Sequence, residues 1–241
     1  MMLIDFLRKI KEDAIRLFYY PTTRYGERNT VDYNAYWHVR RGKGVAVLSR
    51  WQKQRADYVL SIIENGVTVL DLGCGDGAVL TYMREKKGVK GVGVDVSPEI
   101  LSQAHAQGIE TILLDITKPE TLQTLPEVDY IIGLEIIEHM PNAEEVLWYL
   151  LEKARKGVIF SVPNTGYYAH RLRLLFGSVP LQWAAHPGEH LRFWTVRDMK
   201  FWITSLGVRL ERLHLYEGLP VLNKIWPSLF AQGMVVAITK K

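Results

Sequence analysis

The chain is poor in the features that mark secreted and membrane proteins. Its 241 residues include one cysteine, Cys74, which excludes an intramolecular disulfide and is typical of a reducing compartment. No stretch contains the roughly 18 uninterrupted apolar residues of a transmembrane helix. The first residues carry charges within their apolar run and no small-residue cleavage site, and no repeat or low-complexity tract occurs. We therefore expect a cytoplasmic globular protein.

Basic residues are concentrated near the start of the chain. Residues 1–60 hold 12 Lys and Arg against 6 Asp and Glu, whereas the remainder holds 18 against 20. This excess is consistent with a solvated face, and also with an acidic substrate, a phosphorylated carrier or an anionic membrane surface. Arginines elsewhere are scattered and no stacking signature of an RNA-binding module occurs, so no nucleic-acid partner is expected.

Apolar residues at helical spacing predict an amphipathic helix over residues 2–19. We expect its apolar face to pack on the domain, with peripheral membrane contact as the alternative. An irregular arm, rich in turn formers and aromatics, follows to about residue 43. The residues that define the apolar face are Leu3, Leu7, Ile10, Ala14 and Phe18.

After a predicted helix over about 45–64, apolar β-type runs alternate with helical segments. Runs that are continuously apolar are typical of strands buried on both faces of a parallel sheet. The alternation predicts a doubly wound α/β sheet with right-handed crossovers. The alternation stops over about 164–194, a stretch rich in aromatic and basic side chains, before a helix near 195–206 and strands near 208–216 and 234–240. The runs are VTVLDL, VKGVGVDV, IETILLD, VDYIIGLE and GVIFSVPN.

The first strand ends in the glycine-rich stretch DLGCGDGAVL. Gly73 and Gly75 allow a tight turn with close backbone approach to a ligand, and Asp71 stands where the strand ends. With Ala78 the spacing satisfies the dinucleotide fingerprint, and Asp95 lies 20 residues after Gly75. A nicotinamide cofactor is therefore one alternative.

The charges in the loop favour a different cofactor. Asp71 and Asp76 would repel a pyrophosphate, whereas S-adenosylmethionine carries an ammonium and a sulfonium and no phosphate. Asp95 and Asp115 end the next two strands, so they are expected at the same edge of the sheet, as acceptors for the ribose hydroxyls and for the adenine amine. Taken singly, each acid is equally consistent with a cap or a solvated strand end.

These motifs resemble the class I S-adenosylmethionine-dependent methyltransferases from about residue 44 to residue 241. The likeness is strongest to the methionine-biosynthesis W (MetW-like) family, in DLGCGDGAVL, SVPNTGYYAHRLRLLFGSVPL and HLRFWTVRDMKFWITSLGVRLE. It implies a mostly parallel seven-stranded Rossmann-like sheet with the last strand antiparallel. Residues 1–43 would form an N-terminal helix and arm, residues 44–241 the methyltransferase domain, and 164–194 a substrate-side insertion.

The resemblance also implies roles for individual residues around S-adenosylmethionine and its product S-adenosylhomocysteine. Cys74 is interpreted as a small side chain in a tight turn and not as a nucleophile, because nothing basic flanks it. The implied contacts are Asp71, Gly73, Cys74 and Gly75 at the methionine end, Asp95 and Val96 at the ribose, Asp115 and Ile116 at the adenine, and Glu135 beside the sulfonium.

His139, in LEIIEHMPN, follows the fourth strand and is predicted to stand near the transferred methyl group. An imidazole has an ordinary pKa of about 6.5, which suits a base that removes the proton of an acceptor hydroxyl. The related ubiquinone-type O-methyltransferases have His at this place. The alternative is that His139 positions the turn with Pro141.

The string HPGEH matches a zinc-protease motif, but Pro187 and Gly188 break the helix that would place His186 and His190 on one face. We therefore expect no metal there. We assign this segment to a substrate-side loop with Tyr167, Tyr168 and His170 opposite, or to simple packing of the aromatics. Further candidates for the loop are Glu189 and Arg192, and those for closing over the cofactor are Tyr33, Tyr36 and Trp37.

The sequence thus predicts transfer of a methyl group to an oxygen, with nitrogen or carbon as alternatives, of a small molecule or glycan intermediate. The glycan follows from the N-terminal extension and the tail LPVLNKIWPSLFAQ, which resemble methyltransferases of glycan and natural-product assembly. One rival is a MetW-like partner-dependent subunit of a homoserine O-acyltransferase. The other is a nicotinamide oxidoreductase.

Overall fold

The computed structural model describes residues 2–19, 47–182 and 189–241. Seven strands form a single sheet in the order β3-β2-β1-β4-β5-β7-β6. Neighbours among β1 to β5 are parallel, and β7 runs antiparallel between β5 and β6, as predicted. The strands are β1 (Thr68–Leu72), β2 (Lys90–Asp95), β3 (Glu110–Leu113), β4 (Val128–Leu134), β5 (Ala154–Pro163), β6 (Arg209–Tyr216) and β7 (Gly233–Thr239).

Helices cover both faces of the sheet. The predicted helix over 45–64 begins at residue 50, where Ser49 and Gln52 form a capping box. The described helices are α1 (Met2–Phe18), α2 (Arg50–Ile62), α3 (Ala78–Lys87), α4 (Pro98–Ala106), α5 (Pro119–Leu122), α6 (Ala143–Lys153), α7 (Tyr168–Leu175), α8 (Val196–Ser205), α9 (Leu222–Ile225) and α10 (Pro227–Phe230). Of the helices in the described ranges, none has the length and apolar content needed to cross a membrane.

Alternate residues of each central strand supply two separate hydrophobic cores. Leu70 and Ile131 belong to the cluster that contains α6, whereas Val69 and Ile132 belong to the cluster that contains α2 and α3. All four side chains are 0% exposed. Because successive side chains of a strand point to opposite faces, a strand covered on both sides is apolar throughout, which explains the continuous runs in the sequence.

Helix α1 attaches to the domain through its polar side, which corrects the expectation that its apolar face packs inward. Asp13 is 2% exposed and accepts hydrogen bonds from the hydroxyls of Tyr167 (2.5 Å) and Tyr168 (2.9 Å). Arg173 of α7, also buried, donates to backbone carbonyls at the C-terminal end of α1. Buried polar groups need such partners, and here they determine which side docks. All five residues of the predicted apolar face are exposed: Leu3, Leu7, Ile10, Ala14 and Phe18.

Helix α7 lies within 164–194, the stretch where the alternation of strands and helices stops in the sequence. Its buried positions are Ala169 and Arg173, one helical turn apart. Because a buried arginine occupies a position that is normally apolar, the helical period is hidden in the sequence.

Candidate active site

The strand order reverses between β1 and β4, and in open α/β sheets such a point carries a ligand crevice beyond the carboxyl ends of the strands. Asp71 is the next-to-last residue of β1, Asp95 ends β2, and Glu135 directly follows β4. Asp115 lies two residues beyond the end of β3. The structure therefore brings the predicted acids to one edge of the sheet.

The glycine-rich loop folds over the end of β2. Gly73 and Gly75 have left-handed φ angles of 68° and 55°, which favour glycine. The amides of Gly73 and Cys74 donate to the carbonyl of Val94 at 2.7 and 3.0 Å, and the amide of Gly75 donates to Asp95 Oδ2 at 3.1 Å. Asp95 thus holds the loop in place in addition to its predicted role at the ribose.

Two buried carboxyls beside the loop create a strong preference for a cation. Asp71 is 3% exposed, and burial together with the charge of Asp95 raises the pKa of Asp71 to about 8. Burial also raises the pKa of Asp95, against the opposing effect of hydrogen bonds from the amides of Ser97 and Gly75. A cationic ligand would offset the cost of ionising these groups.

The Cys74 thiol is not activated. It is buried, and burial together with the charge of Asp71 raises its pKa. Activated nucleophilic cysteines have lowered pKa values, so the environment favours the interpretation of a small side chain in a tight turn.

The residues predicted to hold the adenine and ribose have contrasting environments. Val96 is exposed, and Ile116 packs against the larger hydrophobic core. Asp115 Oδ1 accepts hydrogen bonds from the hydroxyl and the amide of Thr117 at 2.7 and 3.1 Å, while Oδ2 lies 3.6 Å from Lys118 Nζ. Partial burial raises the pKa of Asp115, but these partners lower it more, and the net shift is downward. Asp115 therefore caps its own turn.

Glu135 belongs to a buried polar network that the sequence did not reveal. Its Oε1 accepts hydrogen bonds from the hydroxyls of Ser161 (2.9 Å) and Tyr216 (3.2 Å), and lies 3.7 Å from Arg55 Nη1. Arg55 also donates to the hydroxyl of Tyr216 at 3.2 Å. The available signal was the position of Arg55 on the buried side of α2, one turn before Val59.

His139 ends the 3₁₀ turn Ile137–His139 that follows β4. Its Nδ1 lies 2.5 Å from the carbonyl oxygen of Glu189. Because a carbonyl oxygen only accepts, Nδ1 donates the proton in this contact. Nε2 lies 3.9 Å from Glu138 Oε1, and the His190 ring stands edge-on to His139 with centroids 4.7 Å apart.

Residues 189–192 are tied to this turn by backbone and side-chain contacts. The carbonyl of Glu138 accepts hydrogen bonds from the amides of Leu191 and Arg192 at 2.8 and 3.0 Å, and the Arg192 guanidinium pairs with Glu144 at 2.7 Å. Burial, and secondarily Glu135, raises the pKa of the Glu138 carboxyl, whereas burial and His139 lower the pKa of His190 to about 3.

The proposed substrate-side residues divide into two groups. Glu189, His190 and Arg192 contact the turn that holds His139. Tyr167 and Tyr168 bind α1 instead, and burial lowers the pKa of His170 to about 4, so the packing alternative describes these aromatics. Four further candidates lie outside the described residues: His186, Tyr33, Tyr36 and Trp37.

Comparison with known proteins places this site in a family context. The family model for methionine biosynthesis protein MetW matches residues 53–238. A bifunctional methionine biosynthesis protein MetXA/MetW from Rhodopirellula baltica is 28% identical over 202 residues, covering 76% of this chain and 32% of that protein. A ubiquinone biosynthesis O-methyltransferase from Aeromonas salmonicida is 31% identical over 132 residues, covering 52% of this chain and 55% of the relative.

The fold also matches solved structures. Magnesium protoporphyrin IX methyltransferase from Synechocystis PCC 6803, with S-adenosylhomocysteine bound, aligns with a TM-score of 0.60 at 16% identity, covering 86% of this chain and 94% of that one. This likeness identifies the sheet and its helices as a Rossmann-like methyltransferase fold. The chain spans about a third of the length of the first of these curated relatives and just over half of the length of the second.

Proposed function

Because the chain belongs to the MetW family, we propose that it binds S-adenosylmethionine and transfers its methyl group to an acceptor. The observation that carries this proposal is the pair of buried carboxyls, Asp71 and Asp95, at a glycine loop on the switch point of the sheet. S-adenosylmethionine is cationic and satisfies both acids, whereas a dinucleotide would bring a pyrophosphate against them.

Individual contacts follow from position along the sheet edge. Asp71 and the loop residues Gly73, Cys74 and Gly75 would hold the methionine end. Asp95 would accept hydrogen bonds from the ribose hydroxyls, with Val96 beside it. Asp115 and Ile116 would border the adenine. Glu135, after β4, would border the sulfonium.

We propose an oxygen of a small molecule or glycan intermediate as the methyl acceptor, with nitrogen or carbon as alternatives. The carbonyl of Glu189 orients the His139 ring through Nδ1, and the turn that holds His139 follows β4, so Nε2 is the group placed to remove a hydroxyl proton. The acceptor oxygen then attacks the methyl carbon, and the bond to sulfur breaks with its electron pair on sulfur. The name of the Aeromonas O-methyltransferase supports oxygen as the acceptor atom.

The first test is calorimetric titration with S-adenosylmethionine, S-adenosylhomocysteine and NAD. Binding of the first two alone is expected, and it would be followed by screening hydroxylated small molecules and glycans for turnover.

Replacement His139→Ala should lower turnover by about 100-fold or more while leaving cofactor affinity nearly unchanged, because a positioned base contributes in the transition state. The matched control is His105→Ala, on the exposed side of α4. In the calorimetric titration, binding of NAD in place of S-adenosylmethionine would contradict the proposed cofactor.

A second candidate function follows from the MetXA/MetW relative, whose name joins two activities in one protein. In this case the chain would bind and complete a homoserine O-acyltransferase. Copurification with such an enzyme and absence of turnover without it would support this function. Turnover by the isolated chain would contradict it.

The exposed apolar side of α1 favours one further contact, with an anionic membrane surface. Leu3, Leu7 and Phe18 are 69%, 56% and 74% exposed, and Arg8 and Lys11 lie on the same helix. Burial of such side chains at a lipid interface is favourable. We expect cosedimentation with vesicles that contain anionic lipid, lowered at least about tenfold by Leu7→Glu, whereas Ala14→Glu at the helix's smallest apolar position should have a lesser effect. If Leu7→Glu binds the vesicles as strongly as the unmodified protein does, the proposed membrane contact is wrong.

A further inference from the structure

Three metal-ligating side chains converge where the turn after β4 meets residues 189–192. One carboxylate oxygen of Glu138 and one ring nitrogen each of His139 and His190 lie within 4.8 Å of one another. For His139 that nitrogen is Nε2, because Nδ1 donates to a carbonyl. An ionised carboxylate and the lone pair of a neutral imidazole are both acceptors, so these atoms favour a cation between them.

Glu138 provides a second and independent observation. Its side chain is 0% exposed, and neither carboxylate oxygen has a hydrogen-bond partner among the residues the structure describes. The 3.9 Å separation from His139 Nε2 is too long for a hydrogen bond. A buried carboxyl without a partner is costly, and a coordinated cation would remove that cost.

The surrounding structure holds the three ligands in place. The His139 ring donates through Nδ1 to a backbone carbonyl, which is the kind of contact that orients metal-binding histidines, and its Nε2 lies 3.9 Å from Glu138 Oε1. Amides of residues 191 and 192 bind the carbonyl of Glu138, and the Arg192–Glu144 ion pair ties the two segments together. The His139 ring and the segment that carries His190 are therefore positioned by contacts that do not involve a metal.

We propose that Glu138, His139 and His190 form a binding site for a divalent metal ion, with Zn²⁺ as the preferred ion. Two imidazoles and one carboxylate suit zinc better than magnesium or calcium, which prefer oxygen ligands. Three protein ligands leave a fourth position open, as in catalytic zinc sites. This set differs from the rejected HPGEH motif, because His190 joins an acid and a histidine from another segment.

The site also has a consequence for catalysis, which rests on the proposed function. Glu138 lies three residues after Glu135, the residue proposed to border the sulfonium, so an acceptor hydroxyl that reaches the open position would be near the methyl group. A metal ion lowers the pKa of a hydroxyl bound to it, and the proton would pass to solvent. Since the ion uses the Nε2 lone pair, it would take over the role of His139 as base.

The test is metal binding to the untagged full chain, first treated with a chelator, without cofactor or acceptor. Calorimetric titration with Zn²⁺ should give one equivalent per chain, and Mg²⁺ should bind much more weakly. Glu138→Gln and His190→Gln should each lower zinc affinity by about 100-fold or more, because each removes one of three ligands. The matched control His105→Gln should bind as the unmodified protein does.

A second measurement covers variants that fail to fold. Co²⁺ bound to the unmodified protein should show the visible absorption of a low-coordinate site, and Zn²⁺ should displace it. Absence of stoichiometric zinc binding, binding of Mg²⁺ alone, or equal affinity in Glu138→Gln and His105→Gln would each overturn the site. Cofactor titration is a separate experiment, so failure of the metal site is distinguishable from failure of the methyltransferase proposal.

Discussion

Replacement Asp95→Ala is expected to lower S-adenosylmethionine affinity at least about 100-fold, because hydrogen bonds to a charged acceptor contribute about 1.5–3 kcal/mol each. Two contributions combine. The variant loses the proposed acceptor for the ribose hydroxyls, and the amides of Gly75 and Ser97 lose the oxygens to which they donate. Calorimetric titration with S-adenosylhomocysteine, which lacks the transferred methyl group, measures the effect without turnover.

The matched control for this variant is Asp129→Ala. Asp129 also accepts hydrogen bonds from a backbone amide and a hydroxyl, both of Thr68. It lies near the beginning of β4, however, at the end of the strand opposite to the crevice. Its replacement should lower stability and leave cofactor affinity nearly unchanged. If both variants lose affinity equally, Asp95 acts only through the stability of the fold and the ribose assignment is wrong.

Replacement Asp71→Asn is expected to stabilise the ligand-free protein and to weaken cofactor binding. Burial raises the pKa of Asp71 from 3.8 to about 8, so the folded state holds a proton that the unfolded state has released. The free energy of unfolding therefore falls as pH rises from about 4 to about 8 and then levels off. Asparagine removes this dependence, and the gain should reach at most about 6 kcal/mol at high pH, since the shift spans about four pKa units and one unit corresponds to about 1.4 kcal/mol.

Denaturant unfolding at several pH values measures this gain, and calorimetry measures the proton that accompanies binding. If Asp71 ionises to meet the cofactor's ammonium, titrations near about pH 6.5 in buffers of different ionisation enthalpy should show nearly one proton released per cofactor bound. The proton release should be nearly absent in Asp71→Asn. Binding without proton release in the unmodified protein would show that Asp71 does not face the cofactor's charge.

Much of the sheet and of the cofactor loop was predictable from local sequence. The strands are continuous apolar runs because both faces are covered, and the left-handed angles at Gly73 and Gly75 require the residue type that the sequence shows. The acids Asp71, Asp95 and Asp115 reach one edge because parallel strands end at the same side. Such features depend on neighbouring residues and on a topology that follows from the alternation of elements.

Only the tertiary structure decided which side of α1 docks and which residues meet at the turn after β4. Helical periodicity identified an apolar face, but the docking side depends on buried partners more than 150 residues away, where Tyr167 and Arg173 lie. The approach of Arg55 to Glu135 and of His190 to Glu138 likewise joins distant segments. The sequence by itself determined the sheet, the glycine loop and the row of acids, because short-range apolar patterns and backbone requirements specify them. Long-range contacts between polar side chains have no such local pattern, so the histidine and glutamate cluster became visible only in the folded chain.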